Sequence, residues 1–439
     1  MKKKVYLIQP TYRKMDGKPL KGWNFFHHSI NLAILSALVP DDWAKDTCVE
    51  YFNDIDYNTD ASVIGITNMA YDIRHAFDIA SAFKRKDKIV IFCGIQDKFS
   101  EKALGEICDG CFYGFPSKSE FAELLDAIQN SKLKQAYHFG LHINFPFDYE
   151  VLRHRKMRYV PLISSIGCVN VCEYCCHAVY FKGRFRLRKI EYVLSDLRSI
   201  SEWIKYGVFL DSNFYNNRHY VLQLCKEIIQ QKIKVTWGAQ LTIDVTDDDE
   251  VLYYLKKAGC RTLIFGLETV DQANLDYMDK HYQVEQYLRQ LLKARAAGLY
   301  VVGNFMVGLD NDTVHTFDYL YTLICKSKIS LPLVNILLPV PGTPLFNRLK
   351  EEGRLFIRNE QVFMEKNPVY SVPCNKCYFD PAKMTGYELE YNFMKLYHKL
   401  TRFRNILSRS LVRSPRMIPN LFYVNLKLRQ EYYAMAKHN

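Results

Sequence analysis

The sequence of 439 residues predicts an α/β protein with an N-terminal doubly wound (Rossmann-like) domain, a partial (β/α)6 barrel and a mainly helical C-terminal region. Two patterns indicate this class. Short apolar, β-rich runs alternate with segments of helical periodicity along most of the chain. The alternation becomes long and regular between residues 159 and 354, as expected for parallel strands joined by helices.

The first predicted domain covers residues 1–135. We expect strands at 5–9, 63–67 and 89–93, and helices near 27–38 and 71–84. The pattern lapses over residues 136–158, which include the basic stretch RHRKMR, and this change predicts a linker. The front of the chain should therefore be a parallel sheet covered by helices.

The second predicted domain covers residues 159–354 and holds six strand-and-helix units. The strands are expected at 160–165, 206–210, 235–239, 262–266, 300–307 and 334–339. One helix should bury a face formed by Val221, Leu224, Cys225, Ile228 and Ile229. Another should be capped by Thr246, which precedes acids that favour the positive end of the helix dipole. Ligands of such folds gather at the C-terminal ends of the strands.

The composition, with 49% hydrophobic and 24% charged residues, is typical of a globular chain with a sizeable core. No apolar run approaches the roughly 18 residues of a membrane span, and the apolar stretch near the N-terminus is too short for a signal peptide. We therefore expect a cytoplasmic protein. The 13 cysteines are an odd number without an export signal, which favours reduced thiols and metal ligation over disulfides.

Three cysteines, Cys168, Cys172 and Cys175, form a CxxxCxxC motif directly after a predicted strand. This spacing lets one loop bring three thiolates to an iron–sulfur cluster, which leaves one iron open. A sulfonium compound that chelates this iron through its amino and carboxylate groups would place its carbon–sulfur bond where it can accept an electron from the cluster. Zinc is the alternative, since Cys176 or His177 could complete a tetrahedral site.

Five further segments lie near later strand ends: FLDSNFYNN, WGAQLTID, IFGLETVDQANLDYMDK, NFMVGLDNDT and LLPVPGTPLFNRLKEEGRL. Together with the cysteine motif they resemble the radical S-adenosylmethionine superfamily, and more closely its subgroup with an N-terminal cobalamin-binding-like domain. The resemblance covers most of the chain. It implies a [4Fe–4S] cluster on the three cysteines and S-adenosylmethionine bound at the open iron.

The resemblance also implies which residues contact S-adenosylmethionine, namely Tyr174, Asp211, Gln240, Glu268, Val307 and Gly308. The tyrosine occupies the position that packs near the adenine, and the valine and glycine should flank the same ring. The three polar residues end consecutive strands, so they can converge on the amino group and the ribose hydroxyls. Each could instead be a cap or a solvated side chain, and the glycine a packing residue.

The activity implied by the resemblance is reductive cleavage of S-adenosylmethionine to a 5′-deoxyadenosyl radical that attacks an unactivated carbon. With cobalamin the outcome is C-methylation in a biosynthetic pathway. Without cobalamin, radical cyclisation, rearrangement or oxidation are the alternatives. The resemblance also implies a flavodoxin- or ferredoxin-type electron donor. A hypothesis of another class is a noncatalytic iron–sulfur protein with a redox or binding role.

The front domain is similar to the cobalamin-binding-like domain of that subgroup. The matching features are the strand ending in Pro10, the strand end at residues 65–67 and Gly94 after an apolar strand. Two features depart from related patterns: the Asp-x-His-x-x-Gly sequence that supplies a lower histidine ligand is missing, and Gly94 lacks a following glycine. The resemblance therefore implies cobalamin held without a protein histidine. His27 and His28 are interpreted as polar residues near a helix start.

The remaining cysteines have more ordinary interpretations. Cys225 and Cys260 fall on apolar segments and are expected in the core. The CxxC pairs Cys108/Cys111 and Cys374/Cys377 could bind metal, as in an auxiliary cluster, although two thiolates make only half a site.

The C-terminal region, residues 355–439, ends in a basic tail. From residue 393 to the end, ten Lys or Arg and one acid give +9 of the total charge of +12. The tail interleaves Lys395, Lys399, Arg402, Arg404, Arg409, Arg413 and Arg416 with Leu396, Leu400, Phe403, Ile406, Leu407, Leu411 and Val412. This mixture predicts a basic amphipathic helix that brings the protein to anionic material, either the inner face of a membrane that carries a lipid-like substrate or a negatively charged substrate itself. Alternatively its apolar side packs on the barrel; no nucleic-acid-binding motif accompanies the charge.

Overall fold

A computed structural model of the protein describes residues 2–11, 13, 18, 19, 21, 30–67, 73–95, 107–356, 376–411 and 418–436. The predicted positions His27, His28, Tyr71, Cys374, Val412, Arg413 and Arg416 lie outside the described residues. None of the helices within the described ranges is long and apolar enough to cross a membrane.

The front sheet contains six strands. They are β1 (Lys4–Gln9), β2 (Ala44–Val49), β3 (Val63–Thr67), β4 (Ile89–Ile95), β5 (Gly110–Phe115) and β6 (Ala136–Leu141). Its helices are α1 (Asn31–Leu38), α2 (Ile73–Lys84) and α3 (Lys118–Gln129). The strands are all parallel and follow the order β2-β1-β3-β4-β5-β6. The strand order therefore reverses beside β1, which makes the carboxyl edge of β1 and β3 the expected ligand crevice.

The second sheet also contains six strands, accompanied by a two-stranded hairpin. The strands are β7 (Val160–Leu162), β10 (Tyr206–Phe209), β11 (Thr236–Leu241), β12 (Cys260–Glu268), β13 (Tyr300–Val307) and β14 (Leu331–Ile336), in the order β7-β10-β11-β12-β13-β14. The antiparallel hairpin pairs β8 (Ser165–Gly167) with β9 (Phe185–Leu187). The parallel pairing of β11 through β14 places their carboxyl ends at one edge.

Helices separate most of these strands. They are α4 (Cys176–Phe181), α5 (Ile190–Ser201), α6 (Arg218–Gln230), α7 (Asp249–Lys257), α8 (Gln272–Tyr277), α9 (Tyr287–Ala296), α10 (Thr316–Ser327) and α11 (Pro344–Glu351). The C-terminal helices are α12 (Gly386–Leu400), α13 (Phe403–Ser410) and α14 (Ile418–Ala436). The predicted fold class is confirmed: a doubly wound sheet precedes a partial (β/α)6 barrel and a helical C-terminal region.

Several strand limits differ from the prediction. The segment expected as one strand at 160–165 contains all of β7 and the first residue of β8. The last barrel strand is β14, at 331–336 and not 334–339; Pro332 is tolerated there because β14 is the edge strand of its sheet. The front sheet contains β2, β5 and β6, which were not predicted. Strand β6 lies in the expected linker, and its half-exposed side chains show no alternation.

Two helix details are corrected. Helix α7 is capped by Asp248, whose side chain accepts a hydrogen bond from the backbone N–H of Val251 at 3.1 Å, and not by Thr246. Thr246 is buried, and its hydroxyl donates to the carbonyl of Ile243. Ile229 is 38% exposed, so the buried face of α6 does not include it, although the other four predicted residues are buried.

By packing, the described residues fall into two compact units. The first includes Met1–Gly167 and Arg184–Val208, and the second includes Cys168–Gly183 and Phe209–Lys366. The three cysteines of the motif therefore share a unit with the carboxyl ends of β11 to β14. The domain limits drawn from the sequence stay predictions.

Candidate functional site

The cysteine loop begins immediately after β8. Gly167, the last residue of that strand, has φ +87°, and a Cβ atom there would collide with the backbone carbonyl of Arg184. Only glycine meets both conditions without strain. The loop then carries Cys168, Cys172 and Cys175, and the third cysteine is the residue that precedes helix α4. Local backbone chemistry thus fixes where the loop leaves the strand.

The three thiols lie near one another and are neither fully buried nor fully exposed. Burial raises the pKa of the Cys168 and Cys175 thiols, and the neighbouring cysteines raise it further. The backbone N–H groups of His177 and Ala178 oppose this at Cys175 by favouring its thiolate. Three mutually repelling thiolates require a cationic partner, and a cluster of iron ions supplies one. The donor set therefore fits the predicted cluster.

No three His, Cys, Asp or Glu side chains in the described part of the chain converge on one metal ion. A [4Fe–4S] cluster does not require such convergence, because each thiolate binds a different iron. Cys176, the alternative fourth ligand, is exposed. His177 is hydrogen-bonded through Nδ1 to the Ser212 hydroxyl at 2.8 Å, and burial lowers the pKa of its imidazole.

Glu268 ends β12 in a strained conformation. Its φ of +65° lies in the left-handed region, where a residue other than glycine costs about 1–3 kcal/mol. Its side chain is 14% exposed, accepts a hydrogen bond from the Tyr174 hydroxyl and lies 3.9 Å from the Lys280 ammonium. Burial raises the pKa of the carboxyl, and Lys280 opposes that shift. Strain of this kind is concentrated at functional sites.

Lys280 was not predicted from the sequence. Its side chain is 10% exposed, and although burial lowers the pKa of its ammonium, Glu268, Tyr282 and Cys172 together raise the pKa above its ordinary value. The electrostatic influence of Cys172 and Cys168 shows that it also lies near the cysteine loop. Lys280 is therefore the one buried cation, among the described residues, that links the cysteine loop to Glu268. No motif marks it, because it follows the short helix α8 in an ordinary polar segment.

Asp211 and Gln240 lie on neighbouring segments of the second unit. Asp211 is buried, and the Asn213 side chain two residues later accepts hydrogen bonds from the backbone N–H groups of Tyr215 and Thr242. The backbone N–H of Phe214 donates to the Gln240 carbonyl at 2.7 Å. The Asp-Ser-Asn-Phe segment is thus fastened to the end of β11, which brings Asp211 and Gln240 to the same edge.

The segment at Val307 and Gly308 is occupied largely by internal contacts. Val307 is buried, and its carbonyl accepts a hydrogen bond from the Leu337 N–H. Gly308 has φ +99°, and a Cβ there would lie 2.8 Å from the Leu389 side chain. The Gly308 N–H donates to Asp312 at 2.8 Å. Gly308 therefore has the packing role that the sequence left open, and its N–H is already paired within the protein.

Asp312 holds this segment in place. Its carboxylate accepts hydrogen bonds from the N–H groups of Gly308 and Leu309 and from the Asn274 amide. Burial raises its pKa to about 7, and the two backbone N–H groups oppose the shift. Sequence reasoning missed Asp312, since an acid after a strand is usually a solvated loop residue.

A further network fastens the cysteine loop to α11. The Glu173 carboxylate, between two of the cysteines, lies 3.0 Å from the Arg348 guanidinium and accepts a hydrogen bond from the Tyr277 hydroxyl at 3.1 Å. The Glu173 carbonyl accepts from the N–H of Leu345, in the first turn of α11. Arg348 also pairs with Asp310 at 2.9 Å. The predicted Pro-Gly-Thr segment thus begins a helix that supports the loop.

The other cysteines belong to the core or lie outside the described residues. Cys225 and Cys260 are fully buried, as predicted, and burial raises the pKa of both thiols. Burial also raises the pKa of Cys108 to about 12. Cys377 donates to the Phe379 carbonyl, and its partner in the CxxC pair, Cys374, is not described. A metal role for either CxxC pair stays a prediction.

The carboxyl edge of the front sheet carries a second polar cluster. Glu50, just after β2, accepts a hydrogen bond from the Thr11 N–H at 2.8 Å and lies 2.7 Å from His75 Nε2. Gln9 Oε1 and Thr67 Oγ1, at the ends of β1 and β3, are buried atoms that have no hydrogen-bond partner among the residues that the structure describes. Buried unpaired polar atoms are costly unless a ligand or water satisfies them.

Comparison with known protein families finds a match in the middle of the chain. Residues 162–324 match the family described as the Radical SAM superfamily. This segment begins at the end of β7 and includes the cysteine loop, β10 to β13 and α10.

Comparison with individual proteins extends the likeness to most of the chain. The bacteriochlorophyllide d C-8(2)-methyltransferase of Chlorobaculum tepidum is 25% identical over 419 residues, which is 89% of each chain. Among solved structures, the radical S-adenosylmethionine methyltransferase TsrM from Kitasatospora setae, with cobalamin and a [4Fe–4S] cluster bound, has a TM-score of 0.64 at 16% identity, covering 80% of this chain and 78% of its own.

A second solved structure shares the fold over nearly the whole chain. The cobalamin-dependent S-adenosylmethionine radical enzyme OxsB, with aqua-cobalamin and S-adenosylmethionine bound, has a TM-score of 0.68 at 14% identity and covers 99% of this chain and 72% of its own. At these identities the two structures establish the arrangement of elements only. The likeness includes the front sheet as well as the barrel.

Proposed function

Since this chain belongs to the radical S-adenosylmethionine superfamily and is an enzyme of it, we propose that it performs cobalamin-dependent methylation of an unactivated carbon. The observation that carries the proposal is the grouping of three thiols with Tyr174, Lys280 and Glu268 at the end of β12. A bound [4Fe–4S] cluster would supply the electron that cleaves S-adenosylmethionine to methionine and a 5′-deoxyadenosyl radical, and bound cobalamin would supply the methyl group.

The residues of this chain have the task of holding and orienting the nucleotide. Cys168, Cys172 and Cys175 are the proposed cluster ligands. Glu268 is held rigidly by Tyr174 and Lys280, so its carboxylate can accept hydrogen bonds from ribose hydroxyls without reorganising.

Four further predicted residues complete the proposed S-adenosylmethionine site. Asp211 and Gln240, whose segments are joined by the Asn213 side chain and the Phe214 N–H, are proposed partners of the amino group and the ribose. Val307 and Gly308 are proposed to lie beside the adenine; both are buried by internal contacts, and the Gly308 N–H already donates to Asp312 and is not available to the ring.

The front sheet supports the cobalamin part of the proposal. Gln9 and Thr67 offer unsatisfied, buried polar atoms at the point where strand order reverses, which is where doubly wound sheets bind ligands. His75 is paired with Glu50 in the same region. We propose that this pair is a polar wall of the site and that cobalamin binds without a histidine ligand.

The proposed substrate is a hydrophobic small molecule. The Chlorobaculum relative is named for a methylation of bacteriochlorophyllide d, a large ring system, and it covers 89% of this chain. The electron donor is proposed to be a flavodoxin- or ferredoxin-type protein, because one-electron reduction of a cluster requires a low-potential carrier.

Metabolite comparison tests the function as a whole. A deletion strain and its parent are grown with methyl-labelled methionine, and extracts are compared by mass spectrometry. We expect one compound to disappear in the deletion strain and a precursor one methyl group lighter to accumulate, with the label restored by wild type and not by Cys172→Ala. Cys176→Ala, which removes a neighbouring exposed thiol, is the matched control and should restore the label.

Two results would contradict the proposal. A missing compound that differs from its precursor by a ring closure, rearrangement or oxidation would replace methylation with a cobalamin-independent radical reaction. Full restoration by Cys172→Ala would favour a noncatalytic role for the cysteine loop.

A further inference from the structure

The basic tail folds differently from the single amphipathic helix predicted. Over residues 393–411 it forms the end of α12 and then α13, with a break after Leu400, and α14 follows at Ile418–Ala436. Leu396, Leu400 and Ile406 are buried, so the apolar side of the prediction packs within the protein. Arg409 is also buried: it donates to the Leu400 carbonyl and to the Asn425 side chain. These residues cannot meet a membrane, and the prediction is wrong for them.

A different face of α13 is open to solvent. Phe403, Leu407 and Leu411 are 58%, 51% and 52% exposed. They are spaced four residues apart, so they line up on one side of the helix and the residue that follows it. Three large apolar side chains, each more than half exposed, form a continuous stripe on a short helix.

Cations flank this stripe. Arg402 and Arg404 are exposed on either side of Phe403 and form no ion pair with an acid in the described part of the chain. Lys395, on α12, is exposed as well. The sequence contains no Asp or Glu between residues 393 and 411. By contrast, Lys399 is paired with Asp318 at 2.9 Å and is not available.

We propose that the outer face of α13, formed by Arg402, Phe403, Arg404, Leu407 and Leu411, binds an anionic phospholipid surface. Exposed apolar side chains of a helix that lies in the membrane interface insert at the boundary of headgroups and acyl chains, and guanidinium groups pair with lipid phosphates. Charge complementarity favours this occupant. A protein partner or a second copy would need Asp or Glu side chains opposite the arginines, whereas a bilayer with anionic lipids presents negative charge over its whole surface. This inference does not depend on the reaction that the enzyme catalyses.

Co-sedimentation with vesicles tests it on the full-length protein. The vesicles contain phosphatidylcholine with or without phosphatidylglycerol, at low and at moderate salt. Wild type should bind the anionic vesicles and release as salt increases. Arg402→Gln with Arg404→Gln should weaken binding about 30-fold, since each cation near an anionic surface contributes about 1 kcal/mol and 1.4 kcal/mol is tenfold.

The apolar stripe has its own variant. Phe403→Ser with Leu407→Ser should weaken binding at least tenfold, because partial burial of two large apolar side chains is lost. The matched control is Tyr253→Ser with Lys257→Gln on α7, which removes an exposed aromatic ring and a cation from another helix and should bind as wild type does.

Three outcomes would overturn the proposal. The first is that wild type fails to sediment with anionic vesicles at low salt, and the second is that the α13 and α7 variants lose vesicle binding equally. The third is that wild type does not bind vesicles but self-associates in light scattering, and that Phe403→Ser with Leu407→Ser abolishes the self-association. The last result would assign the face to a second copy of this chain.

Discussion

Replacing Glu173 by Ala should make the protein lose the proposed cluster faster, although the three cysteine ligands are unchanged. The carboxylate accepts three hydrogen bonds, two from the Arg348 guanidinium at 3.0 and 3.4 Å and one from the Tyr277 hydroxyl at 3.1 Å. Hydrogen bonds that involve a charged group contribute about 1.5–3 kcal/mol each. Because the side chains of Glu173 and Arg348 are 20% and 26% exposed, solvent screening reduces the sum of these bonds, and we take about 1.5 kcal/mol for the whole network.

A loss of that size makes opening of the cysteine loop roughly tenfold more frequent, since 1.4 kcal/mol corresponds to a factor of ten. We therefore expect iron to pass to an excess of chelator about tenfold faster from Glu173→Ala than from wild type. The measurement is the decay of cluster absorbance under anaerobic conditions, starting from protein with equal iron content.

Glu352→Ala is the matched control. Glu352 contacts the same arginine at 3.3 Å but lies in α11's C-terminal cap and not in the cysteine loop. Its loss should change the rate less than about twofold, as is usual for an exposed surface pair. Equal rates for the two variants would refute the reasoning, because they would show that Arg348 stabilises the helix alone.

Three other predictions concern separate parts of the protein. Gly167→Ala should prevent uptake of the cluster, measured as iron content after reconstitution. Gly183 also has a positive φ but has open space where a Cβ would lie, so Gly183→Ala should still take up the cluster. Equal iron content in both variants would contradict the account. Asp312→Asn should remove a pH dependence of the free energy of unfolding. Because burial raises the pKa of Asp312 to about 7, the folded state retains a proton that the unfolded chain loses above about pH 4, so the wild-type free energy of unfolding should fall as the pH rises from about 4 to about 7. Urea unfolding at several pH values measures this, and an unchanged slope in the variant would contradict it. Gln9→Val with Thr67→Val should lower cobalamin affinity, measured by corrin absorbance on titration, with no loss of cluster; undiminished affinity would remove the two residues from the site.

The cysteine motif could be predicted because its chemistry is local. The spacing of Cys168, Cys172 and Cys175 is visible in eight consecutive residues, and the glycine before them is demanded by backbone geometry. Strand-end acids such as Glu268 could be placed for the same reason, since the end of an apolar run marks the edge of a sheet.

The supporting contacts could not be predicted, because they join distant parts of the chain. Glu173 and Arg348 are 175 residues apart, and no periodicity relates them. Lys280 follows a strand end by twelve residues, so its approach to Glu268 depends on how the short helix α8 turns back.

The tail shows the complementary limit. Its composition correctly indicated an amphipathic segment, but composition cannot show which apolar residues face the protein. Within α13, Ile406 is buried while its neighbour Leu407 is exposed, because consecutive helical residues point in directions about 100° apart.

The most direct test of the central claim is the formation of 5′-deoxyadenosine. The anaerobically reconstituted protein, with dithionite and S-adenosylmethionine, should yield 5′-deoxyadenosine and methionine, detected by mass spectrometry. Cys168→Ala, Cys172→Ala and Cys175→Ala should each yield none, and Cys176→Ala should yield wild-type amounts. Absence of 5′-deoxyadenosine from wild-type protein that carries a complete cluster would contradict the account.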